Sequence, residues 1–198
     1  MNAPEIINTE GPAPSCQMSQ LCLVHFGEKH FPLLMSWFHD QQEVTQWAGS
    51  GPTFPITPSQ LAAMVEEART SPPRRYCWMA ATNDGHLVGH AQLALDWNDG
   101  VARLARIAIA PELRGRGMAH GMLSLVLAEA FALPRIERVE LNVFSWNEAA
   151  IKTYTRLGFV HEGTRRSSVR VGAERWDTVM MGQLRVEWET GRATPVHS

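Results

Sequence analysis

Two glycines stand between two arginines where an alternating apolar run gives way to an apolar helix pattern, in IAIAPELRGRGMAHGML, residues 107–123. Glycine costs a helix roughly 1 kcal/mol against alanine, so Gly115 and Gly117 at a helix mouth need a compensating reason. A helix N-terminus presents unpaired backbone N–H groups and a partial positive charge. Glycines there let a bulky anion approach the backbone, and phosphates bind such ends readily. Arg114 and Arg116 add charge of the right sign. A structural reading stands beside this one: a strand-to-helix turn that needs positive φ at Gly115 and close packing at Gly117. The glycines alone leave both open.

Two familiar phosphate loops are excluded. A Walker loop requires G-x-x-x-x-G-K-[ST], and no such lysine follows. The dinucleotide fingerprint requires a third glycine three positions after Gly117, where His120 stands. A second group of polar residues lies downstream. Ser145 and Glu148 form S-x-x-E, a capping-box pattern that predicts a helix start. Asn147 falls in its first turn, and Tyr154 lies two turns further along the same face. A tyrosine at that spacing is ordinarily a core residue.

These residues need elements to hold them. LCLVHF (21–26) reads as a first strand, and HFPLLMSWFHD (30–40) carries apolar residues at helical spacing. AGSGPTFPITP (48–58) is too rich in Gly and Pro for regular structure. TPSQLAAMVEEART (57–70) opens with Thr and Pro and continues as a helix. RYCWMAAT, HLVGHAQLAL and VARLARIAIA are strands, separated by two NDG turns, and form a three-strand meander. An apolar helix to about Phe131, a strand over 136–144 and a helix over 147–158 follow. FVHEGTRRSSVRV and RWDTVMMGQLRVEW pair around GAE. The order predicts a mixed α/β domain, with helices covering one largely antiparallel sheet.

The 198 residues suit one domain, which we place at 19–188 between a loose arm (1–18) and a tail (189–198). A net charge of -2 gives no global sign of nucleic acid or of an anionic membrane as partner. Cys16, Cys22 and Cys77 form neither metal-ligand spacing nor an even disulfide framework, which points to the cytoplasm. The first residues lack the basic-then-apolar order of a secretory signal.

RGRGMA fits R/Q-x-x-G-x-G/A, and LNVFSWNEAAIKTYTRLGFVHEGTRR keeps Asn147, Tyr154 and Leu157–Phe159 in register with a second motif. On these the chain resembles the GCN5-related N-acetyltransferase (GNAT) superfamily, in pattern the branch of ribosomal-protein and small-molecule N-acetyltransferases. The likeness is specific over residues 80–188 and extends to 20–80 only in element order. It implies the acyl-CoA N-acyltransferase fold: a mostly antiparallel sheet of six or seven strands, one pair splayed, flanked by about four helices. It implies acetyl-CoA as cosubstrate, no metal, and direct transfer to a primary amine of a small molecule or protein N-terminus. A homodimer is compatible with it.

By the same resemblance, Ile107, Ala108 and Ile109 offer backbone groups to the pantetheine arm. The N–H groups of Arg114, Gly115, Arg116, Gly117, Met118 and Ala119 take the pyrophosphate. Asn147 contacts the pantetheine arm, and Tyr154 directs its hydroxyl at the CoA sulfur. Arg103 departs from a carboxylate common on that strand, which leaves Glu43, Asp96, His90 and Glu140 as candidates for taking the amine's proton. Trp47 is either a pocket wall or an ordinary anchor. A CoA-binding module without catalysis and an aminoglycoside-type antibiotic acetyltransferase, the latter suggested by WAG at 47–49, are the competing readings.

Overall fold

The structure is a computed structural model that describes residues 21–193; the expected arm lies outside the described residues. The seven strands of the described residues belong to one sheet. They are β1 (Leu21–His25), β2 (Arg75–Thr82), β3 (Leu87–Asp96), β4 (Val101–Ile109), β5 (Arg138–Phe144), β6 (Val160–Val171) and β7 (Glu174–Leu184). They stand in the order β1-β2-β3-β4-β5-β7-β6. Every neighbouring pair is antiparallel except β4 and β5. That exception follows from the chain between them, where helix α4 (Met118–Ala132) crosses over as a βαβ unit requires.

β4 and β5 pair only from Val101↔Arg138 to Leu104↔Leu141. Beyond that rung β4 stays with β3, while β5 stays with β7 as far as Phe144↔Thr178. The cause lies in β4. Its register against β3 shifts between Ala105↔Gln92 and Ala108↔His90, and Arg106 sits at φ 50. A bulge of this kind bends the strand and breaks its ladder locally. The sheet therefore opens into a wedge between β4 and β5.

Two apolar cores hold the wedge. On one face α4 buries Met122, Leu123, Val126 and Leu127 against Leu104, Val139, Leu141 and Met181, together with Tyr154 of α5 (Glu148–Arg156). On the other, α1 (Phe31–Met35), α2 (Gln41–Ala48), α3 (Pro58–Glu66) and the α1–α2 connection cover Cys77, Met79 and Ala108 with Leu34, Phe38, Val44, Trp47 and Leu61.

The helical stretch expected over 30–40 is helical only to Met35; Trp37 and Phe38 are buried beyond its end. α2 was not expected, because QQEVTQWA carries little apolar periodicity. Asp40 starts it by accepting a hydrogen bond from the Glu43 N–H at 2.8 Å. The last strand is also shorter than expected. It ends at Leu184, and RVEW opens α6 (Arg185–Ala193), so six helices rather than about four flank the sheet among the described residues. Arg185 decides this end: its guanidinium donates to the carbonyls of Phe131, Leu133 and Ile136, tying the chain to the exit of α4. Glu187 takes the Leu184 N–H at 2.8 Å, as an N-terminal capping carboxylate does.

Candidate active site

The open end of the wedge is the floor of a cavity of about 530 Å³. Ile107, Ala108 and Ile109 form its β4 wall, and Asn142, Val143 and Phe144 its β5 wall. Past Leu104 this edge of β4 has no strand partner among the described residues, so it presents backbone groups that a ligand can meet in an extra-strand manner.

The chain leaves β4 through a single turn at Pro111–Leu113 and reaches Arg114, which is extended. Gly115 then lies at φ 75 and Gly117 at φ 78. Gly117 is the N-cap of α4, in the left-handed region and with no capping side chain. This explains both glycines through φ. The close packing considered for Gly117 is absent: a Cβ built on either glycine meets no atom within 4 Å. An uncapped helix entrance with open space before it is a cradle suited to an anion. Arg114, Gly115, Gly117, Met118 and Ala119 all line the cavity. Arg116 is exposed and does not. Arg114 is held from two sides, with Nε on the Ile109 carbonyl at 3.3 Å and Nη1 at 3.7 Å from the Glu43 carboxylate.

Asn147 and Tyr154 close the far wall. The capping box expected from Ser145 does not form. Helix α5 begins one residue after Asn147, whose Oδ1 accepts the Ala150 N–H at 3.2 Å, while Ser145 is exposed. Asn147 is thus a cap and a cavity residue at once. Tyr154 is 7 % exposed and packs edge-on against Phe159, with centroids 5.9 Å apart. Burial holds its hydroxyl well above the usual phenol range, so it is a neutral O–H donor. Among the described residues that hydroxyl has no hydrogen-bond partner.

The fourth side is α2. Trp47 is both wall and anchor: it lines the cavity, and its indole N–H donates to the Arg106 carbonyl at 2.8 Å, satisfying the bulge. Of the four groups considered for taking a proton, Glu43 alone lines the cavity. Glu140 pairs with Arg103 across the last rungs of the β4–β5 ladder. Asp96 accepts the Asn98 and Asp99 N–H groups in the turn at the opposite end of β4. His90 is fully buried and its pKa is pushed down to about 3, first by burial and then by the charge of Arg106. Sequence reasoning missed Phe38, Gln46, Arg106, Asn142 and Arg156 as cavity residues. Gln46 and Arg106 depend on α2 and on the bulge, neither of which left a periodic signal, while Asn142 and Arg156 stand on β5 and α5, which were expected without their facing being fixed.

The comparisons agree with this geometry. The model of the acetyltransferase (GNAT) family matches residues 34–159. The chain is 28% identical over 109 residues to the L-amino acid N-acetyltransferase of Escherichia coli, covering 54% of this chain and 67% of that one. It is 32% identical over 108 residues to a putative ribosomal N-acetyltransferase of Bacillus subtilis, covering 54% and 58%. The fold is shared with spermidine N-acetyltransferase from Vibrio cholerae, solved with CoA and spermine, at a TM-score of 0.74 and 18% identity over 86% of this chain and 98% of that one. With its split sheet, open glycine cradle and matching family model, the chain belongs to the acetyltransferase (GNAT) family and is an acetyl-CoA-dependent N-acetyltransferase acting on an amine.

Proposed function

We propose that the acceptor is the primary amine of a small molecule, acetylated in the wedge between β4 and β5 in the cytoplasm. The unpaired β4 edge carries the reading: backbone groups at Ile107, Ala108 and Ile109 hold the pantetheine arm of acetyl-CoA as an added strand would be held. The N–H groups over 114–119 take the pyrophosphate, with Arg114 beside them, and Asn147 meets the arm from the α5 side. Acetyl-CoA supplies an activated thioester; the chain needs no metal and no covalent intermediate of its own for transfer to an amine.

The residues then have separable tasks. Trp47 and Phe38 wall the acceptor side, which favours a small substrate over an open protein surface. Glu43 receives the amine's proton, directly or through water. Tyr154 donates its proton to the departing thiolate, and its place in the cavity wall, with the hydroxyl unpartnered among the described residues, suits that role. The test is to supply acetyl-CoA with a panel of small primary amines and of peptides with free N-termini, following thiol release and product mass. Small amines turned over in preference to peptides support the reading. Turnover of peptides alone would move the acceptor to a protein N-terminus. Thiol release with neither would make the chain a CoA-binding module.

A further inference from the structure

A second recess of about 340 Å³ adjoins the acceptor side of the cavity and shares Glu43 and Gln46 with it. Three distant parts of the chain meet there: the start of α2 with Asp40 and Glu43, the β5–α5 connection with Trp146, and the start of β7 with Glu174 and Trp176. Its aromatic wall is built rather than incidental. Trp146 remains 48% exposed, yet its ring lies parallel to Phe144 (interplanar 5°) and edge-on to Trp176 with centroids 5.1 Å apart. The Trp176 indole N–H donates to Glu174 at 2.9 Å, fixing that carboxylate beside the ring.

The acids have local duties too. Asp40 caps α2, and Glu43 accepts the His39 N–H at 2.7 Å. Those bonds orient the two carboxylates and leave lone pairs over, since an ionised carboxylate has about four acceptor sites. Capping accounts for neither an exposed tryptophan held by two other rings nor the Glu174–Trp176 pair. Among the described residues no cationic side chain lines the recess. Aromatic faces beside carboxylates attract ammonium groups through the ring quadrupole and through charge.

We infer that this recess holds a second cationic group of the acceptor, so that the substrate is an amine bearing two or more ammonium groups. The inference rests on the acetyltransferase reading. The amine to be acetylated enters the main cavity past Glu43, while the distal ammonium rests between Trp146, Trp176 and Glu174.

The experiment compares butylamine with the terminal diamines putrescine, cadaverine and hexamethylenediamine, in the wild-type chain and in Trp146→Ala and Glu174→Gln. The wild-type protein should prefer at least one diamine over butylamine by tenfold or more in kcat/KM, equivalent to about 1.4 kcal/mol. The preference should shrink as salt is raised, because the recess is open to solvent. Each variant should cut it to within about threefold, through KM, while butylamine turnover and acetyl-CoA affinity stay at wild-type values. Equal use of butylamine and every diamine would overturn the inference and leave the acetyltransferase reading intact. So would a diamine preference that survives in both variants. Failure of the wild-type protein to bind acetyl-CoA in calorimetry would overturn both.

Discussion

Tyr154→Phe removes one oxygen from the cleft and leaves its packing alone. The ring is 7 % exposed and packs edge-on against Phe159, a contact that phenylalanine keeps. Among the described residues no group hydrogen-bonds to that hydroxyl, so its loss orphans no donor or acceptor there and is close to neutral for stability. The thermal midpoint should therefore stay near the wild-type value. The kinetic effect is different. Charge grows on sulfur only as the thioester bond breaks, so a hydrogen bond to it favours the transition state over the ground state. General-acid help of this kind is worth roughly 10²–10⁴ in rate, or about 3–5 kcal/mol. We expect kcat to fall by that factor in a chemistry-limited thiol-release assay, with KM for acetyl-CoA little changed. A rise in KM with kcat intact would make Tyr154 a residue that holds acetyl-CoA. Both constants within about threefold of wild type would refute the general-acid role.

Gly117→Val forces a β-branched residue to φ 78, at a cost of about 1–3 kcal/mol in stability, and fills the cradle; calorimetry on the folded variant should show acetyl-CoA affinity reduced at least tenfold. Glu43→Gln should lower kcat at least tenfold in the thiol-release assay, whereas Glu140→Gln and Asp96→Asn, outside the cavity, should leave kcat within about threefold. The depressed pKa of His90, about 3 folded against about 6.5 unfolded, makes the unfolded chain the better proton acceptor between those values. Stability is thus fully present above about pH 6.5 and falls as pH drops through that window, by about 2 kcal/mol already at pH 5. Denaturant titrations of wild type and His90→Asn at both pH values should show most of that slope lost in the variant. Gly100→Ala would set a Cβ 2.6 Å from the Arg135 carbonyl at φ 66, and should destabilise by about 1–3 kcal/mol or more in the same titrations.

Strand order along the chain was legible because β2, β3 and β4 are bounded by NDG turns, which announce hairpins locally. The open entrance of α4 was legible because two glycines at a helix start violate propensity and so demand a reason. What stayed hidden depends on contacts between distant residues. Asp40 fixes the start of α2 by capping, but nothing in QQEVTQWA repeats at a helical period strongly enough to show the element. α6 reads as a strand continuation until Arg185 is seen to reach carbonyls about fifty residues upstream. The Ser145 capping box failed because Asn147, two residues on, supplies the cap instead. The bulge at Arg106 has no glycine to mark it; its positive φ is supported from α2 through the Trp47 indole. The wedge and the residues around it therefore emerge only when β4, β5 and α2 are placed together.

Backbone hydrogen exchange with and without saturating acetyl-CoA tests the cleft assignment directly, because it reads the N–H groups on which the account depends. Protection should rise over residues 105–109, where β4 has lost its β5 partner, and over residues 114–119 at the entrance of α4. It should stay unchanged in the β1–β2 ladder, whose bonds are complete before binding. Binding of acetyl-CoA with no added protection in either stretch would contradict the placement of the cosubstrate between β4 and β5.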